Sequence, residues 1–206
     1  MMRKISRGPV FWTALLGAVV LIIGCVPSLY SLYEGEKDLV WEPDLLGHWV
    51  GEDSSWIFSP MEPESDAPKM YQVLVLDEDN TVQGNLAAGL VKLGEQRFLD
   101  TTLAKTESFG DYNAMHIQPT HLIWHVQSTS PTLKMRAMDP EWLNRFVDEN
   151  PDKIAVENMD NGDRVLLRAK PKELQAFVLQ HLGEDELFGA DVSEMKRPAA
   201  VKKEKE

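Results

Sequence analysis

Fifteen consecutive residues, Val10 to Gly24, carry no charge, follow a basic start of Arg3, Lys4 and Arg7, and end at the only cysteine, Cys25. A positive end followed by an apolar segment of this length is the order of a secretory signal peptide. It takes residues 1–24 out of the fold and places the remainder outside the cytoplasm. That remainder has 18 basic and 33 acidic side chains, a net charge of −15. Such a balance excludes a general nucleic-acid binder, which needs a basic face for phosphates. A single Cys excludes a disulfide framework and any Cys-rich zinc or iron–sulfur site. The chain is 43% hydrophobic and 26% charged, an ordinary globular composition that can bury a core.

The residues Ile22-Ile23-Gly24-Cys25 resemble the lipobox of bacterial lipoproteins. The resemblance implies cleavage between Gly24 and Cys25, lipidation of the Cys25 thiol, and further acylation of the new amino group. Two or three acyl chains, palmitate among them, hold a protein on a bilayer stably where one does so only marginally. The competing reading is an uncleaved N-terminal single-pass anchor, since Gly8 to Tyr33 runs 26 residues without a charge. Against it, Pro27 comes two residues after the Cys and polar residues follow quickly. Both readings give a membrane-attached protein of the cell envelope.

Residues 25–44 read as the lipidated Cys and a tether, because Pro27, Ser28, Ser31, Gly35 and Pro43 disfavour regular structure. Residues 45–183 read as a β-rich globular domain. Strand patterns occur at Leu46–Val50, Ser55–Ser59, Met70–Leu76, Thr81–Leu93, Gln96–Asp100 and Leu122–Gln127. Thr132 to Ala137 alternates cleanly, with Leu133, Met135 and Ala137 on one face. Asp139-Pro140 is an N-cap followed by proline at the first helical position, and Trp142, Leu143, Phe146 and Val147 share one side of that helix. Asn161-Gly162 predicts a hairpin between Ile154–Asn158 and Arg164–Ala169. Pro171 opens a second helix running to Leu182, with Leu174, Phe177 and Val178 at helical spacing. Residues 184–206 read as an acidic, then Lys/Glu-rich, disordered tail. The fold expected is mostly β (α+β): a small antiparallel curled sheet or lipocalin-like barrel of about eight strands, with two short late helices.

Leu46-Gly47-His48-Trp49 resembles the Gly-x-Trp that opens the first strand of lipocalin-like barrels. That resemblance implies a Gly that turns the chain and a Trp that plugs the barrel bottom. With Cys25-Val-Pro-Ser-Leu, Lys37-Asp38-Leu39-Val40, Pro43-x-Leu-Leu-Gly-x-Trp49-Val50 and Arg97-Phe98-Leu99-Asp100, the chain looks like a family of uncharacterised bacterial lipoproteins. The family brings no catalytic residues to transfer.

No reaction is readable. There is no Gly-x-Ser-x-Gly elbow, Walker loop or dinucleotide fingerprint, so no cofactor is expected. His121 and His125 are four apart, but the β-type residues between them put the two about 13 Å apart on a strand, too far to share an ion. Asp77, Asp79 and Thr81 mimic the start of a calcium loop whose Gly and Glu are missing, with Val82 and Ala88 in their places. Trp49, Trp56 and Trp124, with Trp41 and Trp142, are either core or the lining of a ligand cavity, core being the commoner use. The expected function is a lipid-anchored envelope protein whose barrel binds a partner protein or an apolar ligand. Its alternative is a structural or assembly lipoprotein without a cavity. A hollow, Trp-lined barrel favours a ligand, a filled one with an exposed apolar patch favours protein contacts, and a cleft holding a His bonded to Ser or Asp marks a hydrolase.

Overall fold

The structure is a computed structural model that describes residues 25–61, 69–104, 116–159, 164–183 and 186–199. Eight strands close a barrel: β2 (Gly47–Val50), β3 (Ser55–Pro60), β4 (Met70–Leu76), β5 (Val82–Leu93), β6 (Gln96–Leu103), β7 (His121–Ser128), β8 (Thr132–Ala137) and β11 (Ser193–Lys196). They lie in the order β6-β5-β4-β3-β2-β11-β8-β7, and β6 pairs with β7 to complete the ring. Every pairing around it is antiparallel. Three further strands, β1 (Pro27–Ser28), β9 (Val156–Met159) and β10 (Arg164–Leu167), extend the sheet from β7 through β1. The two helices are α1 (Pro140–Glu149) and α2 (Pro171–Gln180). A barrel leaves its strands no long free edge.

Alternation along the strands divides the apolar residues between two cores. Facing inward are Trp49, Trp56, Phe58, Tyr71, Val73, Leu90, Leu99, Leu133 and Met135, with Leu45 entering from one end. Facing outward from β5, β6 and β7 are Val91, Phe98 and Ile123, covered by α1, α2, the β9–β10 hairpin and residues 26–39. At the start of α1, Asp139 accepts from the backbone N–H groups of Glu141 and Trp142, the cap expected from Asp-Pro.

Two stretches differ from the sequence reading. Residues 25–44, expected as a tether, form a strap packed down the outside of the barrel, with Val26, Leu32, Leu39 and Leu45 buried. Asp100 clasps it: one carboxylate oxygen accepts from Leu32 N at 2.6 Å and the other meets His121 Nδ1 at 2.7 Å. Leu39 bridges to Val91, and the 3-10 turn Pro43–Leu45 then carries Leu45 under the barrel. The region from Glu184, expected as a disordered tail, contains buried Leu187 and Phe188 and then β11, which pairs with β8 over four residues. Residues 200–206 lie outside the described residues, as does the Asn161-Gly162 turn, although the β9–β10 pair it was expected to join is present.

Candidate functional site: the open end of the barrel

The two ends of the barrel are built differently. At the lower end, where β2 begins, Trp49 is fully buried and its Nε1 donates to Leu45 O at 2.8 Å. The Arg197 guanidinium lies 3.7 Å over the Trp49 ring and donates to Asp44 O at 2.6 Å. Gly47 takes φ +102, which strains any other residue, and a Cβ there would stand 2.7 Å from the Arg197 guanidinium and push it aside. Gly47 thus turns the chain at a positive φ, and Trp49 is buried with its ring under Arg197. Arg197, in the stretch read as tail, is the partner that sequence reasoning missed.

The strap seals the same end. Glu42 accepts from Arg97 Nη1 at 2.7 Å and from the Thr129 hydroxyl. The Tyr71 hydroxyl accepts from Glu42 N at 2.7 Å and donates to Glu42 O at 3.2 Å. Burial, with the Glu42 charge nearby, pushes the Tyr71 phenol up to about 12. Trp41 stacks on Tyr71 with centroids 4.4 Å apart, so it covers the plug instead of lining a cavity.

The upper end carries the β2–β3 and β4–β5 turns, and its inward residues are less buried among the described residues. Trp56 and Trp124 meet edge to face with centroids 5.5 Å apart, and Trp124 Nε1 donates to Thr101 Oγ1 at 3.4 Å. Below this pair the interior is filled by side chains. Above it, the inward positions Val75, Leu86, Leu103 and Leu122 are only half-buried, as is Trp124 itself. These half-buried apolar side chains gather beside the Trp56–Trp124 pair at the upper end. Of the three Trp singled out from sequence, Trp49 therefore belongs to the plug, while Trp56 and Trp124 form this pair. Trp142 lies elsewhere, stacked on Phe146 at 4.9 Å where α1 meets α2.

The remaining polar candidates have structural partners. His121 is bonded to Asp100, and Ser28 stands opposite His121 in register, which brings Ser, His and Asp together. Yet Ser28 is buried and its hydroxyl donates to Tyr30 O at 2.7 Å, while Leu32 N occupies the second Asp100 oxygen. The group fastens the strap and presents no nucleophile to solvent. His125, outward-facing and 8% exposed, has Nε2 3.0 Å from Gln96 Oε1 and Nδ1 3.5 Å from Arg136 Nη2, with Phe98 and Phe188 against its ring. Burial and then the Arg136 charge push its imidazole down to about 4. The two histidines have separate partners, and among the described residues no group of three or more metal-ligating side chains is assembled. Asp77 organises its turn by accepting from Asp79 N and Thr81 N, so it is a hairpin turn.

Cys25 is half-buried where the chain enters the fold, and burial pushes its thiol up; Gly24 lies outside the described residues. Among the described residues no helix is long and apolar enough to cross a membrane. A scan of protein-family models and searches of known proteins and solved structures give no match to this chain, so the barrel's two unlike ends are what its function has to be argued from.

Proposed function

We propose that this is a lipid-anchored cell-envelope protein, held through Cys25, whose barrel engages an apolar ligand or the apolar part of a partner at its upper end. The observation that carries the binding reading is the asymmetry of the barrel. One end is plugged by Leu45, Trp49 and Arg197, and the other leaves a ring of half-buried Val and Leu beside the Trp56–Trp124 pair. Half-exposed apolar surface gathered in one place favours a contact that removes it from water, at roughly 25 cal/mol per Å². The lipid anchor is supported by the basic, apolar and Ile-Ile-Gly-Cys order of residues 3–25.

In this reading a group at the upper end would reach only as far as the Trp56–Trp124 pair. The site therefore suits an acyl end, an aromatic ring or an inserted side chain better than a whole enclosed molecule. The filled lower interior favours the second reading, an assembly lipoprotein that docks another envelope protein on this rim. A neutral apolar fluorophore such as N-phenyl-1-naphthylamine tests the first. The full chain should enhance its emission, and Leu122→Glu, which puts a charge in the ring, should abolish the enhancement. Unchanged emission in Leu122→Glu removes the upper end as the binding place.

A further inference from the structure

One charge is buried on the outer wall of the barrel without a counter-charge. Arg136 of β8 is 6% exposed and stands in register with His125 of β7, which pairs in turn with Phe98 of β6. Phe188 packs against Phe98 and His125, and Gly189 lies beside Arg136. Arginine is rarely buried unless a carboxylate accompanies it. Arg97 and Arg168 have such partners, Glu42 at 2.7 Å and Glu157 at 3.3 Å. Among the described residues no carboxylate pairs with Arg136. Its Nη1 donates to Gly189 O at 3.3 Å, its Nη2 lies 3.5 Å from His125 Nδ1, and its buried Nε has no partner. Contacts of that length are weak.

The unused groups form a pattern. Nε–H and one N–H of Nη2 point the same way along one edge of the planar guanidinium, the edge that grips a carboxylate or phosphate through two parallel bonds. His125 Nδ1 stands against the Nη2 end of that edge. Burial and the Arg136 charge push this imidazole down to about 4, and an anion held between the two side chains would favour its proton and make Nδ1 a further donor. Around His125 are Gln96 and Phe98 from β6, Arg136 from β8 and Phe188 from the segment before β11, so Arg136 is the charged group among its contacts. Asp139 lies against Gly189, but one of its oxygens is taken by the N–H groups that open α1.

We propose that Arg136, with His125 beside it, is a binding site for an oxyanionic group, a carboxylate or a phosphate, reached beneath Gly189 and Ala190. Residues 186–192 form neither helix nor strand, Gly189 is half-buried and Ala190 is exposed. Leu187 O accepts from Asp139 N at 2.7 Å and holds the start of this stretch, while the Gly189 carbonyl meets Arg136 only through the 3.3 Å contact. An oxyanion there exchanges one long neutral contact for short charge-assisted bonds. The site is on the opposite face of the sheet from Trp124 and depends neither on binding at the upper end nor on the lipid anchor.

The test uses the full chain in neutral detergent, isotope-labelled at histidine, titrated by NMR in sodium sulfate and in sodium chloride of equal ionic strength. Sulfate keeps its charge throughout the range in which His125 titrates. His125 should titrate about one pH unit higher in sulfate than in chloride, while His48 and His181 titrate alike in the two salts. Arg136→Met should remove the difference at His125. It should also lose the part of the parent's gain in urea stability that exceeds the general stabilising effect of sulfate. Arg136→Lys keeps the charge without the two-bond edge and should bind sulfate several-fold more weakly. Acetate at neutral pH then separates the two groups, since the anion that binds more tightly names the one preferred. A parent His125 that titrates alike in sulfate and chloride overturns the proposal, and this reading needs no variant to fold. Equal gains in stability from sulfate in the parent and Arg136→Met also overturn it and leave Arg136 with a structural role alone.

Discussion

Acidification should weaken the fold through His125, and the size of the effect follows from its surroundings. With Nε2 donating to Gln96 Oε1, Nδ1 is left as an acceptor facing the Arg136 guanidinium. A second proton would put positive charge beside Arg136, which is itself buried and has no hydrogen-bond partner for its Nε among the described residues. The folded imidazole is accordingly held near 4 against an ordinary value of 6.5. Between those values the unfolded chain binds the extra proton and the folded one does not, so stability rises with pH across that window. The contribution is fully present above about 6.5 and is lost as the pH falls to about 4. Linkage with these two values gives a loss of about 2 kcal/mol between pH 7 and pH 4.5. Urea unfolding at both pH values, on the parent chain and on His125→Gln, isolates this share. The Gln variant should lose about 2 kcal/mol less than the parent over that interval, since the rest of the chain is the same in both. Equal losses in the two chains, within about 0.5 kcal/mol, would refute the argument that the buried imidazole must stay neutral.

Three further outcomes are expected. Phe177 is 5% exposed and packs on Trp142, Phe146 and His181, so Phe177→Ala should cost about 3–5 kcal/mol in urea unfolding, and a loss under about 1 kcal/mol would mean that α2 does not bury its apolar stripe. Gly47→Ala places a Cβ at positive φ and against Arg197, which should cost about 1–3 kcal/mol, whereas Gly35→Ala, with nothing near its added Cβ, should cost less than half of that in the same assay. Cys25→Ser should lose incorporation of labelled palmitate and remain an uncleaved precursor held by its apolar segment, while an unlabelled parent chain beginning at Met1 or Met2 would leave the single-pass anchor standing.

Where local patterns set the structure, the sequence was easy to read. Thr132 to Ala137 alternates because one face is in the barrel, and Asp139-Pro140 starts α1 because the carboxylate satisfies helix N–H groups that have no other partner. The strap and β11 were missed for one shared reason. Val26, Leu32, Leu39 and Leu45 anchor the strap at intervals of six or seven residues, which fit neither a helix nor a strand. In β11 only Met195 is apolar and buried, and the strand exists because β8 offers it backbone partners. The upper end was half legible. Trp56 and Trp124 stand out in the sequence for their size, but that Trp124 sits beside half-exposed leucines depends on the β6–β7 register, which joins residues 19 to 29 apart in sequence.

Because the ring closes through β11, its order of assembly is set by the direction of synthesis. Residues 193–196 are made after every other strand of the ring, and until then the facing edges of β2 and β8 have no strand between them. The growing chain therefore stays an unclosed sheet with free hydrogen-bonding edges until β11 is made, the state in which β proteins pair wrongly or aggregate. Loss of the last fourteen residues would remove β11 and Arg197 together, leaving that state permanent and the Trp49 plug uncovered.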